Sequence, residues 1–158
     1  MIFKKQPARP ISYVPKKNQN QTIMGAWSSE PFGNDTAGDW AFDLEDVDDL
    51  SLIEETIQKI LDCGNGYLEA RDAEEALAAV ETIARLKGNF KTKNAYTEDV
   101  DAWVAAHPLK PPADLIAKAQ KAIDRILSKP SELLELWGES DEFEAWKKQT
   151  AELKDRIK

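Results

Sequence analysis

The chain has 158 residues, 21 basic and 29 acidic side chains, a net charge of −8 and a single cysteine. One cysteine excludes an intramolecular disulfide, and so acidic a body repels phosphate, which disfavours nucleic-acid binding. With neither a secretory signal nor a long apolar run, the chain is expected to be cytoplasmic and to have no membrane association.

Charge divides the chain in two. Residues 1–23 carry Lys4, Lys5, Arg9, Lys16 and Lys17 and no acid, a charge of +5, whereas residues 24–158 hold 16 basic and 29 acidic residues, a charge of −13. Pro7, Pro10 and Pro15 and the run Asn18-Gln19-Asn20-Gln21 leave the first segment without a helical period or enough apolar surface to offset ordering entropy. Residues 1–23 are therefore expected to form a disordered basic tail, and residues 24–158 a single helical domain with one core.

After Asn34-Asp35, Ala37, Trp40, Ala41 and Leu44 recur at helical spacing, with acids on the other face as far as Asp48-Asp49. Leu52, Ile53, Ile57, Ile60 and Leu61 outline a second helix, stopped by Gly64 and Gly66, which supply the backbone angles of a helix exit. A third, alanine-rich stripe runs through Ala73, Ala76, Leu77, Val80, Ile83 and Ala84 to Gly88-Asn89, and its small side chains suit close helix packing. Asp99, Val100, Trp103 and Val104 predict a short helix that stops at His107-Pro108, because the residue before proline is pushed out of helical geometry. Leu115, Ile116, Ala119, Ile123, Ile126 and Leu127 predict a long helix between Pro112 and Pro130. Ser131 caps a sixth, with Leu133, Leu134 and Trp137; Phe143, Trp146, Leu153 and Ile157 mark a seventh, with Lys154, Arg156 and Lys158 at its C-terminus. The expected fold is all-α, an irregular bundle of about seven short-to-medium helices.

Trp27 and Phe32 precede the first helix and Trp40 lies within it. These aromatics serve either as core, tucked over the bundle, or as an exposed anchor for a partner. Between Met24 and Glu55 there are ten acids and no lysine or arginine. Among them Asp35, Asp39, Asp43 and Asp46, spaced by four, four and three, would align along one face of a helix. Like charges so spaced destabilise a helix modestly, a strain that a basic partner relieves. The stretch Asp43 to Glu54 has the length of an EF-hand loop, but Val47 and Asp48 stand where a ligand and a turn glycine are needed. With one cysteine, Cys63, and one histidine, His107, no transition-metal site or activated thiol is expected, and no P-loop or dinucleotide fingerprint is present. No catalytic, cofactor or metal residue is assigned.

Several segments together resemble a known family. They are Met24-Gly25-Ala26-Trp27, Phe32-Gly33-Asn34-Asp35-Thr36-Ala37, Asp39-Trp40, Asp48-Asp49-Leu50, Ala73-Glu74-Glu75-Ala76-Leu77-Ala78-Ala79 and Ser131-Glu132-Leu133-Leu134-Glu135-Leu136-Trp137, with Trp146 nine residues after Trp137. The pattern is similar to the bacterial domain-of-unknown-function family numbered 4259 over nearly all of residues 24–158. That resemblance implies a small helical bacterial domain and carries over no catalytic residue. Ser28-Ser29-Glu30 replaces a stretch that often contains glycine in such proteins, and residues 1–23 lie outside the pattern.

Charge and size set the functional expectation: an acidic helical surface that binds a basic protein, in the manner of an immunity protein or antitoxin-type inhibitor of a nucleic-acid-acting protein. The competing expectations are a hydrolase or cation-dependent enzyme with inward carboxylates near Trp27, whose pKa values would be raised, and an oligomeric scaffold with an exposed apolar patch.

Overall fold

The computed structural model describes Ala26 and residues 28–158, and among these it contains seven helices and no strand. The basic tail, residues 1–23, and Trp27 lie outside the described residues. The helices are α1 (Asp35–Leu44), α2 (Ser51–Asp62), α3 (Ala70–Leu86), α4 (Glu98–Ala106), α5 (Ala113–Ile126), α6 (Glu132–Gly138) and α7 (Phe143–Arg156).

The helix α3 is the axis of the bundle and packs against all six others. A helix with neighbours on every side must be narrow all round, and Ala73, Ala76, Ala78, Ala79 and Ala84 are each fully buried along it. The larger side chains come from outside. Ile53, Ile57 and Ile60 of α2, Ile123 and Ile126 of α5, Leu133 of α6 and Leu153 of α7 are fully or almost fully buried in one cluster that receives residues from every helix. The sequence stripe underestimated this enclosure, because Glu74, Glu81, Thr82 and Arg85 of α3 are buried as well.

Helix ends follow local chemistry. The Asn34 side chain accepts from the Ala37 amide at 2.8 Å and Ser131 caps α6 through the Leu134 amide. Beyond α3, the amides of Gly88 and Asn89 bond back to the carbonyls of Arg85 and Ala84 at 3.0 and 2.9 Å, a Schellman closure. After α2, Gly64 is left-handed, at a φ of 56°, but Gly66 is not. Gly66 instead presents its carbonyl to Arg125 of α5 at 2.6 Å. The same guanidinium donates to the carbonyls of Gly64, Ser128 and Pro130, so one side chain ties the α2–α3 turn to the α5–α6 joint. Beside it, Leu68 and Ser131 form a bridge, with Leu68 N bonded to Pro130 O and Glu132 N to Leu68 O.

Among the described residues no helix is long and apolar enough to cross a membrane.

Because α3 has no side open to expansion between Ala76 and Arg85, enlarging an alanine there should be costly. Ala79→Leu is expected to lower stability by roughly 1–3 kcal/mol, the usual range for overpacking. Urea unfolding followed by circular dichroism checks this.

Candidate functional site

The acidic segment is built on α1. Its apolar residues Ala37, Trp40, Ala41 and Leu44 face the core, which leaves Asp35, Asp39 and Asp43 exposed on the outer side. Helical register ends with Leu44. The amides of Glu45, Asp46 and Val47 bond to the carbonyls three residues back, those of Phe42, Asp43 and Leu44, at 3.1–3.2 Å. Asp46 is therefore exposed in a tightened turn beyond α1 and does not continue the helical row begun by the other three. Asp43 and Glu54 lie inside α1 and α2, so the stretch of EF-hand length is two helix ends and a joint.

Aromatic donors hold this joint from within. The Trp103 indole N–H donates to the Val47 carbonyl at 2.9 Å, and the Trp40 indole N–H donates to Thr56 Oγ1 of α2 at 2.9 Å. His107 stacks on Trp103 with ring centroids 4.6 Å apart, and its Nε2 lies 3.2 Å from Asp48 Oδ1. Trp40 and Phe32 are thus core residues, whereas Trp27 lies outside the described residues. The exposed aromatic of α1 is Phe42, at 45% exposure, which sequence periodicity did not single out. It sits three residues after Asp39 and four before Asp46.

Some acids elsewhere on the surface have a cationic neighbour. Lys59 pairs with Asp72 at 3.1 Å, Lys154 with Asp124 at 2.8 Å and Lys91 with Glu152 at 3.4 Å. Asp39, Asp43 and Asp46 enter no ion pair among the described residues, and no lysine or arginine occurs between Met24 and Glu55 to provide one locally.

A second feature lies under the loop 28–34, which leads into α1. Gly33 allows the loop to fold tightly: a Cβ there would collide with Ser28 Oγ and stand 2.9 Å from the Ser28 carbonyl. Beneath the loop is a cavity of about 10 Å³, lined by Glu30, Glu74, Leu133, Trp137, Trp146 and other residues of α3, α6 and α7. The two tryptophans stack with centroids 5.8 Å apart, nearly coplanar in orientation. Glu74 is only 8% exposed. Burial pushes its carboxyl up to about 7; the charges of Asp35 and Glu132 push the same way, and the Thr36 hydroxyl and Arg71 pull against them. Thus the structure contains an inward carboxyl with a raised pKa, beside room for about one water. A cavity so small admits no substrate, and among the described residues no group of three metal-ligating side chains is assembled.

The third feature is a buried ion network. Glu81 and Arg85 of α3, each with a side chain 4% exposed, pair at 3.1 Å. Arg85 also bonds to Asp101 of α4 and to the Thr92 carbonyl, while Arg156 of α7 holds Glu81 at 2.7 Å. Every ionised member has an opposite charge, which is what makes such burial tolerable. Arg156 was expected at the end of the last helix facing its dipole; it instead reaches sideways to α3. The i,i+4 spacing of Glu81 and Arg85 was the available sequence signal. Cys63, at the end of α2, is half-buried and its Sγ lies 3.4 Å from the Gly66 carbonyl.

Two stability effects follow. Glu74 binds its proton more tightly folded than unfolded, so its contribution is fully present below the unfolded pKa, near 4.5, and is lost as pH rises through about 7. The loss should approach about 3 kcal/mol between those limits. The difference in unfolding free energy between wild type and Glu74→Gln, measured by denaturant titration from pH 4 to 9, should change by that amount and level off above about pH 8. In the ion network, Glu81→Gln leaves Arg156 without a carboxylate and Arg85 with Asp101 alone, and should cost roughly 3–5 kcal/mol, read by the same titration at pH 7.

Comparison with known proteins bears on the whole of this arrangement. No curated protein and no solved structure matches the chain. A family model described as Domain of unknown function (DUF4259) matches residues 25–149, a span that takes in α1 to α6, both tryptophans of the stacked pair and Glu74. The chain therefore belongs to the DUF4259 family of domains of unknown function.

Proposed function

We propose that this protein is a binding module whose acidic surface at α1 and the α1–α2 joint captures a basic protein, and that it acts as an immunity-protein or antitoxin-type inhibitor of a partner that itself acts on nucleic acid. The observation that carries this reading is a concentration of acid with no local cation: Asp39, Asp43 and Asp46 are exposed and enter no ion pair among the described residues, and no lysine or arginine occurs between Met24 and Glu55 to neutralise the ten acids there. Concentrated negative potential of this kind speeds encounter with a cationic partner and rejects anionic ones. Phe42 supplies the apolar contact that charge alone lacks, since aromatic side chains ringed by polar groups dominate binding energy at interfaces.

Rigidity supports the same reading. The joint is fixed by the Trp103, Trp40 and His107 contacts, so the carboxylates need little ordering on binding. The competing enzymatic reading draws on Glu74 alone, and that carboxyl opens onto space for about one water.

Asp39→Lys with Asp43→Lys reverses two charges on the solvent side of α1 without touching its apolar stripe. The tagged full chain is expected to retain a basic protein from lysate at low salt and to release it at high salt. The doubly reversed variant, with unchanged helicity, should lose at least tenfold in affinity for that protein. Equal affinity of the two forms for the retained protein, measured by titration, would remove the proposal.

A further inference from the structure

A second, separate cavity of about 20 Å³ lies on the far side of the 28–34 loop, between that loop, α3 and α7, with Glu30, Phe32, Arg85, Lys91, Gln149 and Arg156 among its walls. Arg156 spends its two terminal nitrogens on Glu81 and on the Asn89 carbonyl. Its Nε–H is buried and is the single buried side-chain polar atom among the described residues that lacks a hydrogen-bond partner. Buried donors are nearly always satisfied, so this one calls for an acceptor. The carboxylates already in the network are committed: Glu81 to both guanidiniums, Asp101 to Arg85 and Thr97. Glu30 is the remaining acid on the wall, half-buried, with no hydrogen bond or ion pair on its carboxylate among the described residues.

We infer that the 28–34 loop is a strap that closes over this cavity by bringing the Glu30 carboxylate onto the Arg156 Nε–H. An external anion fits less well. The four network charges cancel, Lys91 is taken by Glu152, and Glu30 at the rim repels a second negative group. The volume also admits little more than the carboxylate oxygens that a turn of the Glu30 side chain would supply. Phe32 anchors the strap in the core, but its Ser28–Glu30 part is lightly fastened: the Gln149 amide donates to Ser29 Oγ at 2.8 Å, and otherwise this part bonds within the loop, through Ser28 N to Gly33 O and Gly33 N to Glu30 O. Its C-terminal end is Asn34, the cap of α1, so closure also steadies the start of that helix. This device requires nothing of the binding role proposed above.

Hydrogen exchange of the Ser28 and Gly33 amides in the full chain at pH 7 tests it. Glu30→Gln should raise exchange at both amides at least threefold, Arg156→Lys, which removes Nε–H but keeps a cation, should do the same, and the double variant should exchange no faster than either single one. Unchanged exchange in Glu30→Gln, or effects that multiply in the double variant, would overturn the strap. If Arg156→Lys fails to fold, salt decides: 0.5 M sodium chloride should raise exchange at these amides in wild type and leave Glu30→Gln unmoved, and an equal salt response in both rejects the pairing. Slower exchange in phosphate than in chloride at matched ionic strength would also reject it, by showing that the donor takes an external anion.

Discussion

Everything in this molecule is arranged around the enclosure of α3. A helix with neighbours on all sides cannot use large side chains to fill space, so alanine carries the contact and the bulk comes from the isoleucines and leucines of the surrounding helices. From Ala76 to Arg85 the helix also has no solvent face on which to place its polar residues. Glu81 and Arg85 are consequently interior charges, and the helix recruits Asp101 from α4 and Arg156 from α7 to neutralise them. The ion network is thus the electrostatic counterpart of the alanine stripe: both follow from burying the whole circumference of α3 between Ala76 and Arg85.

That network also sets what the outer helices are free to do. Lys59 of α2, Lys154 of α7 and Lys91 of the α3–α4 loop pair with acids near them, whereas the first helix and its joint contain no cation. Packing turns Trp40 and Leu44 inward and so forces the intervening aspartates outward. Trp103 and His107, reaching across from α4, hold the joint that ends the run. The acidic surface is therefore rigid as well as charged, and the cost of gathering like charges is carried by the core packing beneath it.

Membership of the DUF4259 family agrees with the resemblance carried by the Phe32 to Ala37 and Ser131 to Trp137 segments. The structure gives several of those residues concrete work. Gly33 permits the tight loop, Asn34 caps α1, Ser131 caps α6, and Trp137 stacks on Trp146. Glu74, within the alanine-rich segment, is the polar exception: it lies against the loop on one side while Arg156 lies against it on the other. The 28–34 loop is accordingly the place where two buried polar groups of different kinds meet the backbone that leads into α1.

Seven helices and their approximate ends were legible in the chain, because periodic apolar residues and Asn34, Ser131, Pro112 and Gly88 act locally, within a turn of where they stand. The outward row of aspartates was legible for the same reason as far as Asp43; Asp46 departed from it because helical register ends with Leu44, and the turn beyond is held at the Val47 carbonyl by Trp103, 56 residues away in sequence. Long-range pairings have no local signature. Which face of α3 would be buried, that Arg156 would turn from its own helix end to Glu81, that Phe42 would be exposed while Phe32 is enclosed, and that Glu74 would lie in an apolar cleft were all decided by which helix packs where. The sequence by itself determined the helices and the distribution of charge along them, since both depend on neighbouring residues; only the tertiary structure decided which charges are buried and paired and which remain exposed, since desolvation depends on everything that surrounds a group.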